Sequence, residues 1–355
     1  MTTIRFVLLA TCLAGGLFAG DASSAGSWSP QAAANYLDGR MTWWIGWPTA
    51  ARDHDTFCVS CHTALPYAMG RAALRSALGE KGPSAGERKL LENVTKRVRM
   101  WNEVEPFYPD EKRGAPKTTE SRGTESILNA VILTRYNAPA AEQALDNMWA
   151  LQVKTGEDRG AWPWLQFHNA PWEGDSQYLG AVLAAIAAAG APASYSVKPD
   201  NLAMLRDYLA RGCKSQILLD QVMLLSAAAK LPGILNAAEQ KAIVEEALGK
   251  QQPDGGFSLS SFVGDWKRHD KTPLDARSDG YATGVVVMAL RQAGISADHP
   301  QLKKAIAWLR TNQDKTEGRW FAYSLNKERD LASDVGKFMS DAATAYAVLA
   351  LQSTN

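Results

Sequence analysis

The chain has 355 residues, a formal net charge of +1 at neutral pH, 46% hydrophobic residues and 21% charged ones. Such a length supports one large domain or two small ones, and so balanced a charge gives no reason to expect nucleic acid or an anionic membrane surface as a partner. Four cysteines, one of them (Cys12) in the apolar leader, are too few to build a disulfide-stapled scaffold.

The elements begin with a leader. Arg5 supplies a positive start, Phe6 to Phe18 an apolar run, and Ser23-Ser24-Ala25 a small-residue cleavage site. Residues 1–25 therefore read as a secretory signal peptide, and residues 26–355 as a periplasmic protein. The leader is too short to serve as a comfortable membrane span, and no later stretch is apolar enough, so stable membrane insertion is not expected. "WWIGW" (43–47) follows, suited either to packing on an outer helix or to lining a cofactor pocket.

Next comes "CVSCH", Cys58 to His62, in the C-x-x-C-H pattern. Behind a secretory leader that spacing is the attachment signal for c-type haem: two thiols for two vinyl groups, and an adjacent imidazole for the iron. A Cys58–Cys61 redox disulfide and a zinc site with a fourth ligand are the competing readings. The first would need a βαβ setting that the pattern lacks. The second would need consecutive Cys and His to reach one ion. The run from Cys58 to Leu78 reads as a small-residue buried helix, and "LENVTKRVRMWNEV" (91–104), partly polar, as an outer one.

Downstream the chain repeats itself. Each clear unit has a helix ending in Gln (Gln152, Gln252, Gln313), a Gly-containing turn and an aromatic residue (Trp162, Phe257, Trp320). A longer loop then leads to an acidic residue (Asp175, Asp279, Asp341) that opens a small-residue apolar helix. "TESILNAVILTRY" (124–136) and "SQILLDQVMLLSAAAKL" (215–231) read as the buried helices of two degenerate units, and "AEQKAIVEEALGK" (238–250) as an outer helix. Buried helices at about 58, 124, 175, 215, 279 and 341, alternating with outer ones, predict an all-α (α/α)6 toroid in one domain, with no strand alternation of useful length.

"QQPDGGFS" and "SDGYATGVVVMALRQAG" resemble the terpenoid cyclase and protein prenyltransferase superfamily, the squalene cyclases included, over roughly residues 120–355. The resemblance implies a ring of helices around an apolar cavity. It does not bring that family's chemistry, because there is no D-x-D-D acid run. Tyr281 stands where a zinc-binding cysteine would, and "SDAATAY" has no histidine.

Taken together, these features predict a periplasmic haem protein on a toroid, with Cys58 and Cys61 attaching one covalent haem c and His62 ligating its iron. His168 and His269, in the long loops before buried helices, are candidate further metal ligands. The expected role is electron transfer with a redox partner, or haem-dependent oxidation of an apolar small molecule. The alternatives are a haem-free cyclase-like or hydrolytic enzyme using Asp175, Asp279 or Asp341 as general acid, and a non-catalytic lipid- or glycan-binding toroid. The same aspartates serve equally well as helix caps. Trp162, Trp164, Trp172 and Trp266 either wall the cavity mouth or pack between repeats.

Overall fold

The computed structural model describes residues 27–352 except residue 175. The leader and Asp175 thus lie outside the described residues. In chain order the α-helices are α1 (Pro30–Gly46), α2 (Ala64–Leu78), α3 (Ala85–Arg99), the single turn α4 (Asp110–Arg113), α5 (Lys117–Arg135), α6 (Ala141–Ala150) and α7 (Tyr178–Ala189). They continue with α8 (Pro199–Gly212), α9 (Leu218–Ala228), α10 (Ala237–Gly249), α11 (Gly280–Gln292), α12 (Pro300–Thr311) and α13 (Phe338–Gln352).

Six of these, α2, α5, α7, α9, α11 and α13, are buried along most of their length. Each packs on the next, and α13 returns to α2, so the inner ring closes. Helices α1, α3, α6, α8, α10 and α12 flank it, each preceding its inner partner, with one face buried and the other wet. This is the (α/α)6 toroid that the repeat predicts.

Five of the six outer helices start on local signals: Pro at the first turn of α1, α8 and α12, and capping boxes from Ser84–Glu87 and Asn236–Glu239 in α3 and α10. The inner helices owe their fit to small residues. A Cβ on Gly284 of α11 would lie 2.7 Å from backbone atoms of Tyr346 and Ala347 on α13, and one on Gly70 of α2 would lie 2.8 Å from Ala345. Gly284→Ala is therefore expected to destabilise the fold by about 1–3 kcal/mol in urea unfolding, although alanine is the better helix former.

Two local readings change. Helix α2 begins at Ala64, not Cys58, because the Ser60 hydroxyl accepts from the Thr63 and Ala64 amides and holds "CVSCH" in an irregular turn. A two-residue antiparallel hairpin, Ala51–Arg52 with Thr56–Phe57, also precedes the motif, turned by His54 and Asp55 at positive φ.

The repeat's signature residues tie the toroid together. Gln152 donates to the Gly160 and Asn201 carbonyls, and Gln313 to those of Gly318 and Ser29, each joining a turn to an outer helix start. Trp162 and Trp320, fully buried, donate to the Met148 and Leu309 carbonyls.

Candidate functional site

The long connections that precede the inner helices carry the candidate residues. Trp164 is buried and donates to the Trp172 carbonyl, so Trp162 and Trp164 pack between repeats. Trp172 and Trp266 remain partly exposed, and between them lies an outer cavity of about 790 Å³. Its walls include Gln166, Gln177, Tyr208, Gln216 and two aspartates, Asp158 and Asp220.

Asp220 was not singled out by the repeat. It sits in the first turn of α9, is 7% exposed, and burial alone pushes its carboxyl up to about 7. No hydrogen bond from another described residue compensates that burial. Asp158 is exposed on the α6–α7 connection and accepts from Gln177 at 3.3 Å. Tyr208 lies near both: burial first, then Asp158, pushes its hydroxyl up to about 12, with a further contribution from Asp220.

Two of the aspartates marked by the repeat are tied into the fold; Asp279 opens α11 as expected, whereas Asp341 lies within the first turn of α13, which begins at Phe338. Asp279 accepts from the Ala282 amide at 2.9 Å and the Leu259 amide at 2.6 Å, capping α11 and anchoring the preceding loop, while burial pushes it up to about 7. Asp341 accepts from Tyr36 Oη, Arg40 Nε and Thr63 Oγ1, each at 2.8 Å. Neither has a free carboxylate face comparable to that of Asp220.

Trp172 also borders a second, inner chamber of about 190 Å³, lined by Cys61, His62, Tyr108, Glu173, Asn326 and Arg329 among others. The His62 ring stacks on Phe338 at 3.8 Å and meets Trp44 edge-on at 5.1 Å. Burial, then Arg40 and Arg329, pushes it down to about 3, which leaves the imidazole neutral. Cys58 and Cys61 are buried thiols, the first pushed up to about 12 chiefly by burial and the second well above the usual thiol range. Glu173 is pushed up to about 7, again chiefly by burial.

His168 and His269 meet at the rim, 5.2 Å apart, with the His269 Nε2 in contact with the His168 carbonyl and the His168 ring stacked on Trp266 at 4.3 Å. His62 packs apart from them, among Trp44, Trp172 and Phe338. Among the described residues no three His, Cys, Asp or Glu side chains gather as a metal site.

These surroundings do not fit a haem. Cofactor sites run to roughly 300–1,000 Å³, and the space beside Cys61 and His62 is about 190 Å³, with Phe338 on the face of the imidazole. The expectation of a cytochrome c-like protein acting in electron transfer or haem-dependent oxidation is corrected accordingly. The spacing of the motif is right, but the space around it is already filled by aromatic side chains.

The comparisons with known proteins bear on the fold. No family model matches the chain, and no curated protein matches its sequence. Solved structures do. An unsaturated glucuronyl hydrolase variant with dGlcA-Glc-Rha-Glc aligns at a TM-score of 0.56 and 11% identity, over 91% of this chain and 95% of that one. The unsaturated glucuronyl hydrolase of Bacillus sp. GL1, responsible for the degradation of glycosaminoglycan, aligns at 0.54 and 10% identity, over 91% and 96%. Both are named as unsaturated glucuronyl hydrolases. At such identities the shared feature is the fold, and the resemblance to squalene cyclases likewise holds at the level of the toroid: the chain is an (α/α)6 toroid of the general class that includes these hydrolases.

Proposed function

We propose that this toroid is a hydrolase of saccharide substrates, with Asp220 as its general acid. The observation that carries the reading is an uncompensated carboxyl, raised to about 7 by burial, lining a cavity of about 790 Å³ between two tryptophans. Aromatic faces with amide and hydroxyl groups between them suit a sugar, which has apolar ring faces and polar edges. A terpene would leave Gln177 Oε1, buried with no hydrogen-bond partner among the described residues, and the Asp220 carboxyl unpaired against hydrocarbon. The likeness in fold to glycan-degrading hydrolases supports the same class of substrate.

In this mechanism the protonated Asp220 gives its proton to the leaving oxygen as the C–O bond breaks. Asp158, on the wall of the same cavity, orients the water that adds to the carbon and takes the proton that water loses as the new C–O bond forms. One buried and one exposed carboxyl in one cavity are suited to that division of roles.

The test is to incubate the purified chain with neutral and acidic oligosaccharides and assay new reducing ends. Saccharide cleavage is expected. In Trp266→Ala, KM should rise about tenfold with kcat changed less, since the lost stacking face serves binding. Absence of cleavage of every saccharide in the panel, whether or not one binds, would overturn the proposal.

A further inference from the structure

We infer that the inner chamber beyond Trp172 binds a neutral, hydroxyl-bearing unit of the substrate, and that His62 is the fixed hydrogen-bond acceptor that reads one of its hydroxyls. The inference rests on the saccharide reading above and deepens it.

The argument starts from Thr63. Its single hydroxyl hydrogen goes to Asp341 Oδ2 at 2.8 Å: burial raises that carboxyl, but the Arg40 guanidinium and the Tyr36 hydroxyl on Oδ1 hold it as a carboxylate, which can only accept. The Thr63 oxygen is therefore an acceptor toward His62 Nδ1 at 2.9 Å. Nδ1 must carry the ring proton, and Nε2 is left as a lone pair. The same device, a side-chain partner on one ring nitrogen that sets the role of the other, orients imidazoles in many sites.

A second acceptor shares this chamber. Asn326 Oδ1 is buried with no hydrogen-bond partner among the described residues. Two unpaired acceptors call for a ligand that donates. Arg329 and Glu173 line the same space, and the guanidinium offers donors that call for a ligand that accepts. Hydroxyls do both. An ammonium would meet the Arg329 charge, and a carboxylate would face the two acceptors, so the chemistry favours a neutral polyol. A chamber of about 190 Å³ holds one small hydroxylated ring or less, not a chain. Trp172, shared by both cavities, would separate that unit from the part lying in the outer cavity.

The experiment measures binding and needs no turnover. Methyl hexopyranosides, methyl pentopyranosides and their singly deoxygenated analogues are titrated into the wild-type chain, Asp220→Asn and His62→Phe, and nitrogen-15 shifts of His62 are recorded. Expected are an Nδ1–H tautomer, and binding that one deoxygenation weakens about tenfold to hundredfold in the wild type and in Asp220→Asn. His62→Phe should bind the parent glycoside as weakly as the wild type binds that deoxy analogue. Thr63→Val, nearly isosteric, should mix the tautomers and cost severalfold in affinity, which guards against a folding defect in the phenylalanine variant. Equal affinities for parent and deoxy glycosides, an Nε2–H tautomer, or no binding by the whole panel would overturn the inference. Selective binding without cleavage of any saccharide would instead overturn the hydrolase reading alone.

Discussion

Asp220→Asn is expected to lower saccharide turnover by about two to four orders of magnitude, the range a positioned general acid supplies. Substrate binding should be nearly unchanged, because the amide keeps the shape of the carboxyl. The wild-type pH profile should show the same group. Below about 7 the acid holds its proton and kcat/KM is level in that limb; above it the rate should fall tenfold per pH unit. Stability should move the other way from activity. Between the ordinary 3.8 and about 7 the folded chain keeps a proton that the unfolded chain has released. Stability attributable to this group therefore falls as pH rises through that window, by up to about 4 kcal/mol once pH exceeds 7. Asp220→Asn removes that liability, so it should unfold at higher urea than the wild type at pH 8 and with less advantage at pH 4. A variant that is both inactive and more stable is the mark of a carboxyl buried for chemistry. An inactive variant with the wild-type pH dependence of stability would locate the group at about 7 elsewhere, at Glu173 or Asp279, whose buried carboxyls share that range.

The ring of inner helices was legible because a helix buried all round has to be apolar and small on every face, and that composition is visible without knowing what it touches. α11 and α13 show it in Gly284 and Ala347, whose close approach needs residues lacking bulk. The start of α2 was not legible. "CVSCH" has helical neighbours in sequence, and only the Ser60 hydroxyl, capturing the Thr63 and Ala64 amides, shows that the turn stays open. The haem reading failed for a related reason. C-x-x-C-H specifies three reactive groups in order, but whether a macrocycle fits beside them depends on Phe338 and Trp172, which arrive from distant segments. Asp220 was missed because its unit lacks the Gln and Gly turn that marks the others. The available signal was a single carboxylate in the apolar run "SQILLDQVMLL", an arrangement that costs folding energy unless it serves something.

Asp341→Ala should destabilise the toroid by about 3–5 kcal/mol, the cost of leaving a buried cation without its partner. Asp341 is 1% exposed, and its carboxylate is shared by three donors: Tyr36 and Arg40 from α1, and Thr63 at the threshold of α2. These join the first helix pair to the last, so this one side chain sits where the ring closes. Removing it leaves Arg40 with only Asp334, half exposed at 54%, and strands the Tyr36 and Thr63 hydroxyls in the interior. Asp279→Ala should cost less, about 1–2 kcal/mol, because only backbone amides at a helix start and a loop lose their acceptor. The two variants thus separate a closing bond from a cap in urea unfolding. Amide exchange should show where the difference lies, with α1 opening first in Asp341→Ala and α11 in Asp279→Ala. The Asp341 variant should also free Thr63 from its acceptor, so the tautomer of His62 becomes mixed even in molecules that remain folded. Ring closure and the setting of the inner chamber then depend on the same carboxylate, and equal unfolding energies for the two variants would show that they do not.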